Sequence, residues 1–156
     1  LFTSCSQNQN YLFEEGGINI DYLKNSPKTY WFNENFENYT VEKINRDNFS
    51  ELYNYDIEIF MNTLCHDSKR EIPRLIKILK ELNFPEDKLK IILLNQNKKS
   101  KMGYEVNKNI TNTPTIIFNI DNIEVNRIVE FPKESLERDI LKIINDEDYK
   151  HVYFIE

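Results

Sequence analysis

The sequence predicts an α/β fold, and the order of its apolar segments is the main observation behind that prediction. Short apolar runs at 56–61 and 89–94 lie on either side of a segment, 66–82, whose apolar residues recur at helical spacing. Further along, two strand-like runs are separated by Asp121 and Asn122, which is typical of a tight turn. Strand–helix–strand alternation predicts parallel pairing, and the hairpin adds antiparallel strands. We therefore expect a mixed central sheet flanked by helices.

Length, charge and cysteine content exclude several classes of protein. The 156 residues are enough for one domain with a proper core. There are 20 Lys and Arg against 26 Asp and Glu, a net charge of −6, so the basic stripe of a nucleic-acid-binding protein is absent. No apolar run approaches the ~18 residues of a membrane-spanning segment. With two cysteines, Cys5 and Cys65, a framework of several disulfides is excluded.

The first ten residues, LFTSCSQNQN, are interpreted as a signal-peptide remnant with a lipobox and a tether. Residues 1–5 resemble the end of a bacterial lipoprotein signal, where small residues precede a cysteine that receives lipid. The polar residues 6–10 are expected to follow as the tether. This interpretation predicts lipid attachment at Cys5 and a place in the bacterial cell envelope, facing the periplasm and held by acyl chains alone. The alternative is an ordinary free cysteine near an arbitrary chain end.

Residues 11–54 are predicted to form an N-terminal extension with leading helices that pack on the sheet. Ile18 and Ile20 indicate a short edge strand. The segment 29–39 is dense in aromatic residues, several of them at helical spacing, so we favour core packing over a ligand-binding shelf. Residues 41–53 give a second, more loosely periodic helical candidate.

The predicted core domain spans 55–145, and a C-terminal tail of uncertain structure follows at 146–156. Within the core domain, the polar and basic residues 95–101 are interpreted as a solvated loop. The remaining predicted elements are a short helix at 102–109, hairpin strands at 116–118 and 123–131, and a last helix at 133–145.

Cys65 is placed where the strand at 56–61 gives way to the helix. The first N–H groups of a helix have no partner within it, and the helix dipole is positive there. Both features stabilise a thiolate. His66 and Lys69 add donors or positive charge, whereas Asp67 opposes them. The pattern therefore predicts a thiol that is partly ionised at neutral pH. Asp67 itself is interpreted as a helix cap rather than a catalytic group.

Three segments together resemble the thioredoxin superfamily. Residues 65–69 (CHDSK) stand where that family has its C-x-x-C motif and following lysine, and Pro73 lies in the helix behind it. Residues 113–115 (TPT) stand at the position of the family's cis-proline loop. Residues 31–36 (WFNENF) are similar to a segment upstream of the motif in envelope thioredoxin-like proteins. The resemblance implies a thioredoxin-like fold over 55–145, with an N-terminal helical extension.

The resemblance also implies a role for each residue of the site. Cys65 is the nucleophile, and Thr113 and Pro114, joined by a cis peptide, bind an extended substrate beside it. Ser68 stands where the family has its second cysteine, and a hydroxyl cannot exchange with sulfur. Ser68 either donates a hydrogen bond to the thiolate or is a simple helix residue, and His66 either tunes the thiolate or is solvated.

Two further positions depart from the family pattern. Leu64 replaces the tryptophan that usually precedes the first cysteine, and Ile59 replaces a buried acid that serves as a proton relay. Both departures argue against ordinary dithiol thioredoxin turnover. With Ser68 in place of the second cysteine, release of a mixed disulfide from Cys65 depends on an external thiol reductant.

Three functions remain after these observations. The first is a monothiol thiol–disulfide oxidoreductase that acts on protein or small-molecule disulfides. The second is a non-catalytic module that binds a peptide or protein in the cis-proline groove. Peroxidase-like chemistry ranks last, because the sequence lacks a matching set of hydrogen-bond donors. We expect no cofactor and no nucleic-acid partner. We also expect no metal site, since Cys65 and His66 are adjacent and the other histidine, His151, is in the tail.

Overall fold

The computed structural model describes residues 16–43 and 45–155, and this part of the chain contains five strands and four α-helices. The strands are β1 (Gly17–Ile18), β2 (Asp56–Met61), β3 (Leu89–Leu93), β4 (Thr115–Ile120) and β5 (Ile123–Val129). The α-helices are α1 (Ile20–Asn25), α2 (Phe32–Asn38), α3 (His66–Glu81) and α4 (Leu136–Ile144). Short 3₁₀ helices span Pro27–Thr29, Arg46–Asn54 and Glu86–Lys88.

The sheet is mixed, as the sequence predicts, with strand order β1-β3-β2-β4-β5. β2 lies at its centre, parallel to β3 with Ile59 opposite Ile91, and antiparallel to β4 with Ile59 opposite Ile116. The helix α3 makes the crossover from β2 to β3, the connection that parallel neighbours require. The expected parallel pairing of 56–61 with 89–94 is confirmed. β1 adds a short antiparallel edge next to β3, so the N-terminal extension contributes to the sheet itself.

The predicted hairpin is confirmed as β4 and β5, which pair antiparallel. Asp121 and Asn122 form its two-residue turn with φ values of 51° and 63°. Hairpins of this length need left-handed backbone at the turn, and Asp and Asn tolerate it better than most residues. The pairing shifts register between Phe118 and Asn119, so the hairpin carries an irregularity within the ladder.

β2 buries one face along its length, whereas its other face is exposed at Asp56, half-buried at Glu58 and buried at Phe60. Ile57, Ile59 and Met61 point to the main core, which they share with α3 and α4. Phe60 points to the opposite face and packs in a smaller cluster with Ile92, Leu94 and Ile117. This alternation follows from the two-residue period of a strand. The chain between β3 and β4 contributes Tyr104 and Ile110 to the smaller cluster and so covers this face.

The aromatic segment is core, as predicted. Trp31, Phe32 and Phe36 are buried, and the rings of Phe32 and Phe36 stack with centroids 5.8 Å apart. The same segment holds one exception, since Tyr30 is 78% exposed. α2 therefore packs against α3 through its buried aromatic face.

The predicted helix at 102–109 is wrong, because this segment folds into a series of turns. Gly103, Asn107 and Asn109 all have positive φ, which an α-helix cannot accommodate. The Glu105 carboxylate accepts hydrogen bonds from the backbone N–H and the hydroxyl of Ser100 at 3.0 and 2.6 Å. These bonds hold the turns together in place of helical ones.

Three other predicted boundaries change for reasons of capping or helix type. Ile20 begins α1 instead of extending the edge strand, because the Asn19 side chain caps that helix by accepting from the Tyr22 N–H at 2.9 Å. The last helix begins at Leu136 rather than at 133, because Ser135 is its N-cap. The candidate at 41–53 is a 3₁₀ helix over Arg46–Asn54 rather than an α-helix.

A buried carboxylate fixes α4 to its neighbours. Asp139 accepts hydrogen bonds from the backbone N–H of Lys133 at 2.7 Å, from that of Glu134 at 3.2 Å, and from the Tyr149 hydroxyl at 2.8 Å. Burial and this hydrogen bond to Asp139 raise the pKa of Tyr149. Tyr149 is itself buried, so the network fastens the C-terminal tail to the main core.

Candidate functional site

The turn between β2 and α3 places Cys65 at the head of the helix, as predicted. Cys65 occupies the N-cap position with an extended backbone, φ −71° and ψ 127°. Its N–H donates to the Asn62 carbonyl at 3.2 Å, and the Asn62 side chain accepts from the Leu64 N–H at 2.8 Å. The Asn62 amide group also donates to the Leu94 carbonyl at 2.9 Å. Asn62 thus folds the turn and ties it to the end of β3.

The Cys65 side chain is a free, partly exposed thiol that faces the loop before β4. Its Sγ lies 3.0 Å from the Thr113 carbonyl oxygen, to which the neutral thiol donates a hydrogen bond. The Thr113–Pro114 peptide is cis, which confirms the expectation from the TPT segment. The structure therefore brings together Cys65, Thr113 and Pro114 from segments almost fifty residues apart in sequence.

The loop at Pro114 is held by one backbone and one side-chain hydrogen bond. The Pro114 carbonyl accepts from the Glu130 N–H at 2.7 Å, and the Thr115 hydroxyl donates to the Asn112 carbonyl at 2.7 Å. Pro114 lies immediately before β4, where its missing N–H removes no bond from the sheet. Thr113 and Pro114 are both buried, so the carbonyl that faces the sulfur is firmly positioned.

Two opposing effects act on the Cys65 thiol. The start of α3 favours the thiolate through the positive end of its dipole, although the Cys65 side chain makes no capping hydrogen bond to the helix N–H groups. The Thr113 carbonyl favours the neutral thiol, because ionisation removes the donated hydrogen and leaves a carbonyl oxygen facing the sulfur. Thiols are weak donors, whereas a helix N-terminus lowers the ionisation midpoint of a thiol from ~8.5 to roughly 3.5–7.5.

Ser68 supports the turn and does not contact the sulfur in the described structure. Its side chain is 0% exposed, and its Oγ accepts from the Asn62 N–H at 3.3 Å. His66, the first residue of α3, is exposed, and none of its described contacts involves the Cys65 Sγ. Of the two alternatives left open for each, this geometry favours a structural role for Ser68 and a solvated one for His66.

The prediction that Asp67 caps α3 is wrong, because Cys65 occupies the N-cap and Asp67 lies within the first turn. Asp67 forms an ion pair with Arg70, with 2.5 Å between Oδ1 and Nη2. Arg70 also donates through Nε to the buried carboxylate of Glu71 at 2.5 Å. The acid in the first turn is therefore partly neutralised by an adjacent cation and opposes the thiolate less than its charge implies.

A surface depression of about 250 Å³ opens beside the sulfur. The loop 95–101 forms one wall, although the sequence indicated only a solvated loop. Asn95 shapes this wall by accepting through its side chain from the N–H groups of Asn97 and Lys99 at 2.9 and 3.1 Å. The depression is lined by Asn62, Leu64, Cys65, Asn95, Gln96, Lys98 and Thr113.

A second polar cluster lies on β2, near the end opposite Cys65. The Glu58 carboxylate contacts Lys108 at 2.7 Å and Lys90 at 3.4 Å. Burial acts to raise the pKa of Glu58, but the hydrogen bonds and charges of Lys108 and Lys90 outweigh it and lower that pKa. The Glu58 carboxylate is thus already paired with both lysines.

Other features of the described part bear on location and metal binding. Within 16–43 and 45–155, no group of three or more His, Cys, Asp and Glu side chains is arranged to hold a metal ion. In the same ranges no helix has the length and apolar character needed to cross a bilayer. The predicted lipid attachment at Cys5 and the segment 1–10 lie outside the described residues.

Comparison with known proteins establishes the class of fold. No family model matches the chain, and no curated protein matches it. Among solved structures, the chain is similar to a protein of unknown function from Pseudomonas aeruginosa, determined at 1.5 Å, with 11% sequence identity and a TM-score of 0.52. The match covers 86% of this chain and 91% of that chain. At this identity the likeness shows the fold alone, a mixed α/β fold whose five-stranded sheet is flanked by helices.

Proposed function

We propose that this chain has a thioredoxin-like fold and acts as a monothiol thiol–disulfide oxidoreductase through Cys65. One observation carries the proposal: a partly exposed thiol at the start of a helix lies 3.0 Å from the carbonyl that precedes a cis proline. A helix N-terminus favours the nucleophilic thiolate, and partial exposure admits a substrate. The adjacent depression leaves space for a disulfide to approach the sulfur.

The proposed reaction has two exchange steps. The Cys65 thiolate attacks one sulfur of a substrate disulfide, forming a mixed disulfide and releasing the other sulfur as a thiolate that takes up a proton. An external thiol then ionises and attacks the substrate sulfur of the mixed disulfide, which restores Cys65 and leaves the bound half in a disulfide with the external thiol. Away from the site, a second external thiol exchanges with that disulfide, so the reductant is oxidised to its own disulfide as both halves of the substrate become thiols. Ser68 cannot perform the second attack, so the mixed disulfide persists until an external thiol arrives.

The partners follow from this chemistry. The substrate is a client protein or a low-molecular-weight disulfide, and turnover requires an external thiol. We place the protein in the bacterial cell envelope, anchored to the membrane through lipid at Cys5. Mass spectrometry of the native N-terminus tests that placement, since an unlipidated Cys5 would contradict it.

The second candidate function is a non-catalytic peptide- or protein-binding module with a thioredoxin-like fold. The observation that favours it is Leu64, which is 62% exposed beside the depression and offers an apolar contact to a partner chain. In this alternative Cys65 is incidental, and binding does not depend on its sulfur.

Trapping of mixed disulfides discriminates between the two functions. The protein is incubated with envelope extract, or with glutathione disulfide as a defined probe, then quenched and separated without reductant. Under the redox proposal we expect adducts that map to Cys65, disappear on reduction and are absent from Cys65→Ser. The matched variant Cys5→Ser should retain them. Binding that survives in Cys65→Ser, with no adduct in the parent, would overturn the redox proposal and favour the binding module.

A further inference from the structure

The helix that carries Cys65 contains an internal proline, and this leaves one backbone carbonyl without its usual partner. Pro73 lies in the middle of α3 and has no N–H to donate to the carbonyl four residues earlier. That carbonyl belongs to Lys69, in the turn that follows Cys65. An unpaired carbonyl in a partly buried turn weakens the structure around it.

Asn35 supplies the missing donor from a different helix. Its side-chain amide donates to the Lys69 carbonyl at 3.2 Å, across 34 residues of sequence. Asn35 lies in α2 between Phe32 and Phe36, which are both buried in the main core. The amide is therefore held against α3 by the packing of the helix that bears it.

Lys69 connects this bond to the reactive cysteine. The Lys69 N–H donates to the Cys65 carbonyl at 3.0 Å, while the Lys69 carbonyl accepts from Asn35. Lys69 is thus hydrogen-bonded through its N–H to the N-cap residue and through its carbonyl to α2. Without Asn35 the first turn of α3 lacks a tether just ahead of the proline.

We propose that Asn35 is a positioning residue for Cys65, acting through the Lys69 carbonyl that Pro73 leaves unpaired. It holds the first turn so that Cys65 stays at the N-terminal end of α3, where the helix dipole is positive. The inference deepens the proposed thiol–disulfide function and rests on it. Asn35 does not touch the substrate, and its effect reaches the sulfur through the geometry of the helix.

A double-mutant cycle tests the proposal on the full chain carrying Cys5→Ser. Asn35→Ala is made with Pro73 present and again with Pro73→Ala, which restores an N–H for the Lys69 carbonyl. The readouts are the rate of Cys65 alkylation by iodoacetamide as a function of pH and the rate of attack on glutathione disulfide. With Pro73 present we expect both rates near neutral pH to fall roughly threefold to tenfold, and the alkylation midpoint to move to higher pH. With Pro73→Ala the same change should have little effect.

Asn33→Ala is the matched control. The Asn33 side chain makes the same kind of bond, donating to the Lys24 carbonyl at 2.9 Å, but it acts between α1 and α2 and leaves α3 untouched. We expect this variant to keep the parent's alkylation profile. Asn35→Leu keeps the bulk of the side chain and removes the donor. It should behave like Asn35→Ala, which would show that the lost hydrogen bond, and not lost packing, causes the effect.

The outcomes separate this inference from the function on which it rests. If Asn35→Ala and Asn35→Leu lower thermal stability but leave the alkylation midpoint unchanged, Asn35 is structural only and the inference is overturned. Equal effects with Pro73 and with Pro73→Ala would also overturn it, because the orphaned carbonyl would then be irrelevant. If the parent itself forms no adduct with glutathione disulfide, the proposed function fails first, whatever Asn35 does.

Discussion

Ser68→Cys is expected to shorten the lifetime of mixed disulfides on Cys65 by about a hundredfold or more. The substitution creates a C-x-x-C sequence at the start of α3, so a second thiol lies three residues from the first on the same helical turn. An attached thiol acts at an effective concentration in the millimolar range or above, whereas an external thiol must diffuse to the site. The expected product is an internal disulfide between residues 65 and 68, with release of the substrate half as a thiol.

The lifetime is measured by loading the protein with glutathione disulfide, removing excess reagent and following the adduct by intact mass. Ser68→Ala is the control, because it also removes the hydroxyl that accepts from the Asn62 N–H without adding a thiol. Both variants should lose about 1 kcal/mol of stability from that bond. Only Ser68→Cys should discharge the adduct. If the adduct is as long-lived in Ser68→Cys as in the parent, the claim that the site lacks only a resolving thiol at position 68 is contradicted.

Asp139→Ala is expected to produce the largest loss of stability of any single polar substitution considered, about 3–5 kcal/mol. Its carboxylate is 0% exposed and accepts from two backbone N–H groups and from the Tyr149 hydroxyl. Removing it leaves these donors without a buried partner, and each unsatisfied donor costs about 1–3 kcal/mol. Urea denaturation at neutral pH measures the free energy of unfolding.

Two milder variants divide that loss among the partners. Tyr149→Phe removes a single donor and should cost about 1 kcal/mol. Asp139→Asn keeps an accepting oxygen and should lie between the two. A loss below about 1 kcal/mol for Asp139→Ala would show that water replaces the carboxylate and that the network contributes little to holding the tail.

The strands and the long helix were predictable because local sequence dictates them. Apolar residues alternate with acidic ones at the start of β2, and α3 presents its apolar residues on one side. Each pattern therefore identifies its element without knowledge of the rest. The segment 102–109 shows the limit of such reasoning. Met102 and Val106 have helical spacing but are 60% and 57% exposed, so no surface of the fold receives them. Positive φ at Gly103 and Asn107 then ends any helix.

The candidate site was predictable where a short motif marks it and not where distant groups complete it. Cys65 and Pro114 were identified from their own neighbours in sequence. The wall formed by the loop 95–101 was missed, because nothing in that loop indicates which element it contacts. The bond from Asn35 to the Lys69 carbonyl was missed for the same reason. One signal was present: a proline inside a predicted helix implies an unpaired carbonyl four residues earlier, and therefore a donor elsewhere in the chain.

The structure also explains why the position of Cys65 matters more than its immediate neighbours in sequence. His66 is exposed and Ser68 is bonded to the turn, and neither has a described hydrogen bond to the sulfur. Asp67 is paired with Arg70. What remains at the sulfur is the start of α3 on one side and the Thr113 carbonyl on the other. Under the proposed function, reactivity depends on the balance between these two backbone features.

The rate of Cys65 alkylation by iodoacetamide as a function of pH measures that balance most directly, in protein carrying Cys5→Ser so that a single thiol reports. If the helix N-terminus dominates, Cys65 will react at neutral pH clearly faster than an unperturbed thiol. A rate at neutral pH no higher than that of an unperturbed thiol would show that the Thr113 carbonyl and burial hold the sulfur as an inert thiol.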